Sequence, residues 1–402
     1  METASTNLGK MNTEVLLPEI IDLVNSLALN TLPNFGVGHG KGGAILLNCL
    51  YASYTKNEIY YTAAERFLEA AFDDLNPSKY KSTLTSNYYL DIAEFGNLLI
   101  YLENEGHIEE DYISFKRQVD DLLTGKVKDN IAERNFGMSK GAIGIGFYLI
   151  NRAPSSTIAR NAVLQILNAL DELKEGNTET GYFWTTHYFS EPRVYTGLAH
   201  GVAMVINFLS SVYEAGIETV KCAELMRYGL KFLLQNRMNS QLFTSAFPLW
   251  IKEHEKIVNH CLVYGDIGTC YAIIRAAKIL NEQNYLAEGI RIALDTVKRK
   301  TVEETFLNDA SVKYGVCSPI LIYNRIYQLT GIETFNEASA YWLAQIPSYA
   351  TGQNKYLGFK SFFFGEYDNA QLDLNFGLIG IALTIMQSAS DQYNINQFTW
   401  LH

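Results

Sequence analysis

The 402-residue sequence has no run of about 18 apolar residues, so no membrane-spanning helix is expected. It has 8 prolines and little alternation of apolar and polar residues, which argues against a chain built of strands and leaves an all-α reading. Basic residues are in deficit: 32 Lys and Arg against 43 Asp and Glu, a net charge of −11. A surface of that sign repels a phosphate backbone and excludes nucleic acid as the expected partner, while it suits a cationic peptide. Cysteines number five (Cys49, Cys222, Cys261, Cys270, Cys317), an odd count with no compact disulfide framework, which favours a reducing compartment. The N-terminal METASTNLGKMNTE lacks the basic-then-apolar order of a signal peptide, so the cytoplasm is the expected location. No low-complexity segment and no interdomain linker is visible.

What the chain does have is a series of seven short segments, each followed by an apolar run. They read GHGKGGAILL (38–47), DIAEFGNLLI (91–100), SKGAIGIGFYLI (139–150), YTGLAHGVAMVI (195–206), YGDIGTCYAII (264–274), YGVCSPILIY (314–323) and FGLIGIALTIM (376–386). With Gly43, Gly96, Gly144, Gly201, Gly268, Pro319 and Gly380 as markers, the intervals are 53, 48, 57, 67, 51 and 61 residues. That period is too long for one helix and suits a helical hairpin with its loops. Seven hairpins give about fourteen helices. A closed double ring is the simplest way to bury them, so residues 1–402 are expected to form one domain with repeats over about 30–390.

After each segment, apolar residues recur at helical spacing, as in Ile45, Leu46, Cys49 and Leu50, or Val202, Val205, Ile206 and Leu209. Between them lie amphipathic stretches with charged faces at 62–75, 156–175, 218–236 and 285–300. The pattern predicts an inner ring of helices that start at the glycine segments and an outer ring of charged amphipathic ones. Inner-helix N-termini then point to the centre of one face. Segments 76–89, 176–195, 237–263 and 346–373 read as irregular, the last holding a short strand pair or a loop over the site.

YTGLAHG at 195–201, YGDIG at 264–268 and GLIGIAL at 377–383, set on a seven-fold hairpin repeat, resemble the lanthionine synthetase C-like family. The resemblance covers residues 30–390 and implies an α/α toroid. It implies a cyclase that adds cysteine thiols of a precursor peptide to dehydroalanine or dehydrobutyrine, working beside a lanthipeptide dehydratase. In such cyclases a zinc ion activates the thiol and a histidine and a tyrosine handle protons. The metal is held by the cysteine of a W-C-Y-G motif and the cysteine and histidine of a C-H-G motif. On this chain His200 falls on the family histidine, and Tyr264 and Gly265 on the Y-G of W-C-Y-G. Leu262 and Val263 replace the tryptophan and first zinc cysteine. Cys317, Ser318 and Pro319 are placed on C-H-G, which leaves serine in place of the ligand histidine. Asn259 stands for an expected arginine, and NFGMSKGAIG shows no acidic residue where the third repeat carries one.

A catalytic zinc site needs about three protein donors. A rearranged set would draw on Cys317 with Cys261 or His260; otherwise these cysteines are small buried apolar residues. In a site without the metal, His200 is the candidate base and Tyr264 the candidate proton donor, the alternative for His200 being a helix-capping role. His39, His187 and Asp266 are the candidate substrate-binding residues. His187 is otherwise a packed loop residue, and Asp266 a cap or an acceptor for loop amides. GHGKGG lacks the order of a phosphate loop, and no strand precedes it. Two other functions stay open: a catalytically silent member that binds peptide or organises a modification complex, and a toroidal carbohydrate-active enzyme. The latter requires paired carboxylates, for which Asp91, Asp266 and Asp373 are the candidates.

Overall fold

Helices that are apolar on every side belong inside, and those with one apolar stripe belong outside. The computed structural model, which describes residues 13–82, 85–109, 111–187, 191–239, 244–252 and 260–402, sorts its helices by this rule. The chain runs α1 (Thr13–Thr31), α2 (Lys41–Thr55), α3 (Ile59–Asp73), α4 (Tyr88–Asn104), α5 (Ile113–Ala132), α6 (Ala142–Arg152) and α7 (Thr157–Glu172). An antiparallel pair, β1 (Glu175–Asn177) and β2 (Gly181–Phe183), follows. Then come α8 (Val202–Glu214), α9 (Thr219–Gln235), α10 (Asp266–Ile279), α11 (Gln283–Thr296), α12 (Val302–Thr305), α13 (Cys317–Thr330), α14 (Glu333–Leu343), α15 (Asp368–Leu372) and α16 (Leu378–Ala389). Fourteen of these helices have 11 residues or more, the number the repeat predicts.

The inner ring is closed. Helix α2 touches α4, α4 touches α6, and contact continues through α8, α10, α13 and α16 back to α2. Every residue from Asp266 to Ala277 of α10 and from Leu378 to Gln387 of α16 is buried, whereas α11 buries only Gly289, Ile292, Ala293 and Thr296. Helices α3, α5, α7, α9, α11 and α14 each pack outside the inner helix that precedes them. The seventh inner helix, α16, has no long helix after it. Its outer partner is α1, from the other end of the chain, whose Leu16, Ile20, Ile21 and Val24 are fully buried.

Glycine turns start five of the inner helices and a sixth turn of the same form precedes α13. In five of the six, the glycine N–H donates to the carbonyl four residues back: Gly141 to Gly137 (3.0 Å), Gly201 to Gly197 (3.1 Å), Gly265 to Cys261 (2.9 Å), Gly315 to Ser311 (3.0 Å) and Gly377 to Asp373 (3.1 Å). Space, not dihedral angle, requires glycine here. A Cβ on Gly201 would lie 2.6 Å from the Gly197 nitrogen, and one on Gly265 would overlap the Cys261 carbonyl.

Two expectations need correction. The second repeat has no glycine turn: α4 is capped by the Asn87 side chain, which accepts from Leu90 N–H at 2.9 Å, and Gly96 lies midway along the helix against the Tyr148 ring. The strand pair lies at 175–183, in a segment read as irregular. Segment 346–373 has the loop alternative instead: apart from a 3₁₀ turn (Ile346–Tyr349) and α15 it is irregular, and its Phe364 lines the central cavity. No described helix is long and apolar enough to cross a membrane.

Packing at the turns predicts opposite signs for two Gly→Ala changes. Gly265→Ala is expected to lower stability by about 3 kcal/mol or more, since backbone and not a movable side chain fills the space. Gly125→Ala, inside α5 with nothing within 4 Å of the new Cβ, is expected to raise it by about 0.5–1 kcal/mol. Denaturant unfolding of the two variants checks both signs.

Candidate active site

The turn register decides which side chains meet at the ring centre. The two residues before each turn glycine line a cavity of about 200 Å³: His39; Ser139; Ala199 and His200; Val263 and Tyr264; Lys313 and Tyr314; Asn375 and Phe376. The second repeat, lacking the turn, contributes Leu90 and Glu94 from α4, with Thr85 before it. Phe364 closes one side, and Trp400 reaches in from the C-terminal segment. That segment packs under the ring: Asn207 donates to the Trp400 carbonyl at 2.9 Å, and the His402 ring stacks on Phe147 at 3.9 Å. Backbone bonds tie neighbouring turns together, Met138 N–H to Ala199 O (3.1 Å), Ala199 N–H to Val263 O (3.3 Å), Lys313 N–H to Asn375 O (3.0 Å) and Asn375 N–H to Gly38 O (3.1 Å).

Rings at successive turns touch in order: His200 and Tyr264 (centroids 6.3 Å apart), Tyr264 and Tyr314 (6.2 Å), Tyr314 and Phe376 (6.0 Å), Phe376 and His39 (5.2 Å). His200 and Tyr264, the two residues named by the family resemblance, are therefore brought together. Burial pushes the His200 pKa down to about 4, so its imidazole is neutral at neutral pH. His39 is held differently. Its Nδ1–H donates to Asp373 Oδ2 at 2.9 Å, and Nε2 meets Thr85 Oγ1 at 2.8 Å and Asn375 Nδ2 at 3.0 Å. Burial lowers its pKa, but the bond to Asp373 and the charges of Asp373, Asp91 and Glu94 outweigh that and leave it raised.

Two ionisable cavity residues, among others, escaped the sequence reading. Glu94 accepts from Gly38 N–H at 2.8 Å, and burial holds its pKa up. Lys313 is buried, and its Nζ has no hydrogen-bond partner among the described residues; it sits over the Trp400 ring, 3.1 Å from the centroid. Its position two residues before the sixth turn glycine is the signal that would have found it.

That turn also corrects the sixth-repeat register. Cβ atoms placed on Gly43, Gly144, Gly268 and Gly380 would press on the carbonyls of Val37, Met138, Leu262 and Leu374, each three residues before its turn glycine. Ser318 Oγ donates to the Val312 carbonyl at 2.6 Å, the same carbonyl in the sixth repeat. The turn glycine is therefore Gly315, and the C-H-G positions are Lys313, Tyr314 and Gly315. Cys317 and Ser318 lie in the first turn of α13, fully buried and outside the cavity lining.

The three zinc-ligand positions then read Val263, Lys313 and Tyr314: a hydrocarbon, an ammonium and a phenol. This set does not fit zinc. The rearranged set is not assembled either, for among the described residues no three His, Cys, Asp or Glu stand together as a metal site. Burial pushes the Cys317 thiol up to about 12 and the Cys261 thiol to about 11. His260 is fully buried between the Tyr323 hydroxyl (Nε2, 3.0 Å) and Arg299 (Nδ1, 3.5 Å), and its burial and the Arg299 charge lower its pKa to about 3.

Asp266 does not line the cavity. Its carboxylate accepts from Arg299 Nη1 and Nη2, both at 2.8 Å, and from Ala246 N–H at 2.8 Å. Burial works to raise its pKa, but the Arg299 guanidinium overrides that and lowers it. His187 is exposed and lines no part of the cavity, and Asn259 lies outside the described residues. Asp91 and Asp373 are also occupied, by Ser86 and Tyr80 and by His39 and Phe376 N–H. None of the three carboxylates lines the central cavity, which leaves the carbohydrate reading without its acid–base pair.

A family model described as "Lanthionine synthetase C-like protein" matches residues 31–398. Among solved structures, nisin cyclase superposes with a TM-score of 0.76 at 14% identity, over 97% of this chain and 98% of that one. A sugar epimerase from a ruminal bacterium gives 0.42 at 12% identity, over 94% and 100%. Cellobiose 2-epimerase from Bacillus thermoamylovorans B4167 gives 0.38 at 13%, over 84% and 88%. The first match shows that the chain has the α/α-toroid fold of nisin cyclase. No curated protein matches the chain by sequence.

Since Asp266 and Arg299 form a buried pair, removing one partner strands the other. Arg299→Met is expected to cost about 3–5 kcal/mol, read as a lowered denaturation midpoint.

Proposed function

The chain belongs to the lanthionine synthetase C-like family, and we propose that it closes thioether rings in a dehydrated precursor peptide without a zinc ion. The observation that carries this reading is the shared placement of His200 and Tyr264 at successive turns of one cavity, 6.3 Å apart. In the step, the cysteine S–H bond breaks and its proton passes to the neutral His200 imidazole. Sulphur bonds to the β-carbon of dehydroalanine or dehydrobutyrine, and the double-bond electrons move to the carbonyl oxygen as an enolate. The Tyr264 hydroxyl then protonates the α-carbon, and the proton held by His200 restores the tyrosine. A separate dehydratase supplies the unsaturated residue.

A peptide substrate accords with the cavity's surroundings. Phe306, Phe362 and Phe363 form an exposed aromatic cluster, and Phe363 packs on Tyr314 at 4.7 Å. Such rings offer apolar area at low entropy cost beside the reacting centre. The energetics set a demand. A base of pKa about 4 takes a proton from a thiol of pKa about 8.5 uphill by roughly 6 kcal/mol, so the thiolate needs a favourable charge nearby. Val263 at a donor position favours a second reading, a silent member that binds peptide without turning it over.

Incubation with a dehydrated precursor, followed by a count of free thiols, separates the two. Rings are expected to form at an unchanged rate in the presence of a chelator, with no stoichiometric zinc on the purified protein. His200→Asn and Tyr264→Phe are each expected to slow closure by about 10²–10⁴-fold while the fold is retained. Because His200 must be neutral to accept the proton, the rate should fall as pH drops through about 4. Full retention of free thiols with the intact protein would establish the silent reading.

A further inference from the structure

The central cavity contains a lysine amine that no step above uses. Of the residues two positions before a turn glycine, Gly38, Ser139, Ala199, Val263 and Asn375 carry no charge, and Lys313 alone does. Its side chain is buried, and its Nζ contacts the face of Trp400 and makes no hydrogen bond among the described residues. Burying an ammonium without an acceptor is unfavourable, and a buried polar group left in that state calls for a ligand to complete it. Glu94 lines the same cavity but is bonded to Gly38 N–H, and Asp373 is bonded to His39.

We propose that Lys313 is a catalytic residue of this cavity: its ammonium binds the cysteine sulphur as it becomes a thiolate, and then the enolate oxygen to which the negative charge moves. This rests on the ring-closing reading above and supplies the charge it lacks. Lys313 sits at the position of the second zinc cysteine in the corrected register, beside Val263 at that of the first. One protein cation therefore occupies the ground that a metal and its thiolate would share. Nothing is consumed: the proton from sulphur goes to His200, the C–S bond forms at the β-carbon, and Lys313 keeps its own protons while donating hydrogen bonds. Burial lowers the Lys313 pKa well below the usual amine range, with the charges of Glu94 and Asp373 opposing the shift. An anion bound in the cavity reverses part of that effect, so the charge is reinforced when the thiolate is present.

Two probes test this: a synthetic peptide with one dehydroalanine and one cysteine, and its analogue with alanine for dehydroalanine, which binds without reacting. On the wild-type protein the bound analogue's thiol pKa, read by thiolate ultraviolet absorbance, is expected to fall by at least one unit. Lys313→Met is expected to abolish that fall and to slow cyclisation at neutral pH by about 10²–10³-fold, a deficit that narrows at alkaline pH where the thiol ionises unaided. Lys313→Gln should behave likewise, and Lys313→Arg should recover at least tenfold of the lost rate. Lys313→Met should melt no lower than wild type, since it removes an unpaired buried charge. His200→Asn should lose cyclisation but keep the lowered thiol pKa. A wild-type protein that lowers the thiol pKa through Lys313 yet forms no rings would refute the ring-closing reading and uphold the thiolate site. Lys313→Met and Lys313→Gln variants within twofold of the wild-type rate, or a wild-type protein that fails to bind the analogue or to lower its thiol pKa, would overturn the proposal.

Discussion

Backbone packed directly against backbone inside each glycine turn is the constraint on which the rest of this structure depends. Each inner helix can start where it does only if its turn closes tightly on itself, and the turn glycines meet that need by lacking a Cβ, which would strike the chain four to six residues back. Once the turns touch, hydrogen bonds run from one to the next, as from Ala199 to Val263 and from Asn375 to Gly38. The residues just before each glycine are then forced into a small shared space. The cavity is thus a by-product of closing the ring, and its chemistry is set by whichever side chains occupy those positions.

In that space and in the packed turns around it desolvation is the dominant electrostatic force, and what differs from residue to residue is the compensation. Arg299 compensates Asp266 fully, with two bonds and a lowered pKa, which makes this pair part of the scaffold. Asp373 compensates His39. At His200 burial prevails, so its imidazole stays neutral, which suits a base. At Lys313 the charges of Glu94 and Asp373 oppose burial without overcoming it, and its Nζ makes no hydrogen bond among the described residues. The ranking separates groups that hold the fold from groups that await a ligand.

The ring architecture was legible in the sequence because glycine spacing and helical apolar periodicity are local signals. His200 and Tyr264 were legible because their motifs are contiguous. The sixth repeat was misread by four residues. Its sequence shows one glycine, Gly315, followed by Cys317, which imitates the cysteine of the expected motif; the deciding contact, Ser318 to the Val312 carbonyl, is visible only in three dimensions. Glu94 and Trp400 were missed for a related reason. One comes from a helix that lacks the turn and the other from a segment outside the repeat, so no periodicity announces them. Asp266 looked like a site residue because it lies in YGDIG, yet its partner Arg299 is 33 residues away in sequence.

The pairing of α1 with α16 has a temporal meaning. A ribosome adding about 5–20 residues per second takes about 20–70 s to travel from the end of the first helix to the end of the last inner one. Throughout that interval α1, with its Leu16, Ile20, Ile21 and Val24, has α2 and α3 to pack on but lacks α15 and α16. The nascent chain therefore carries a sticky leading helix for most of its synthesis. The ring shuts only when the last repeat has left the exit tunnel, which makes its completion a late, long-range event of the kind that chaperones shelter.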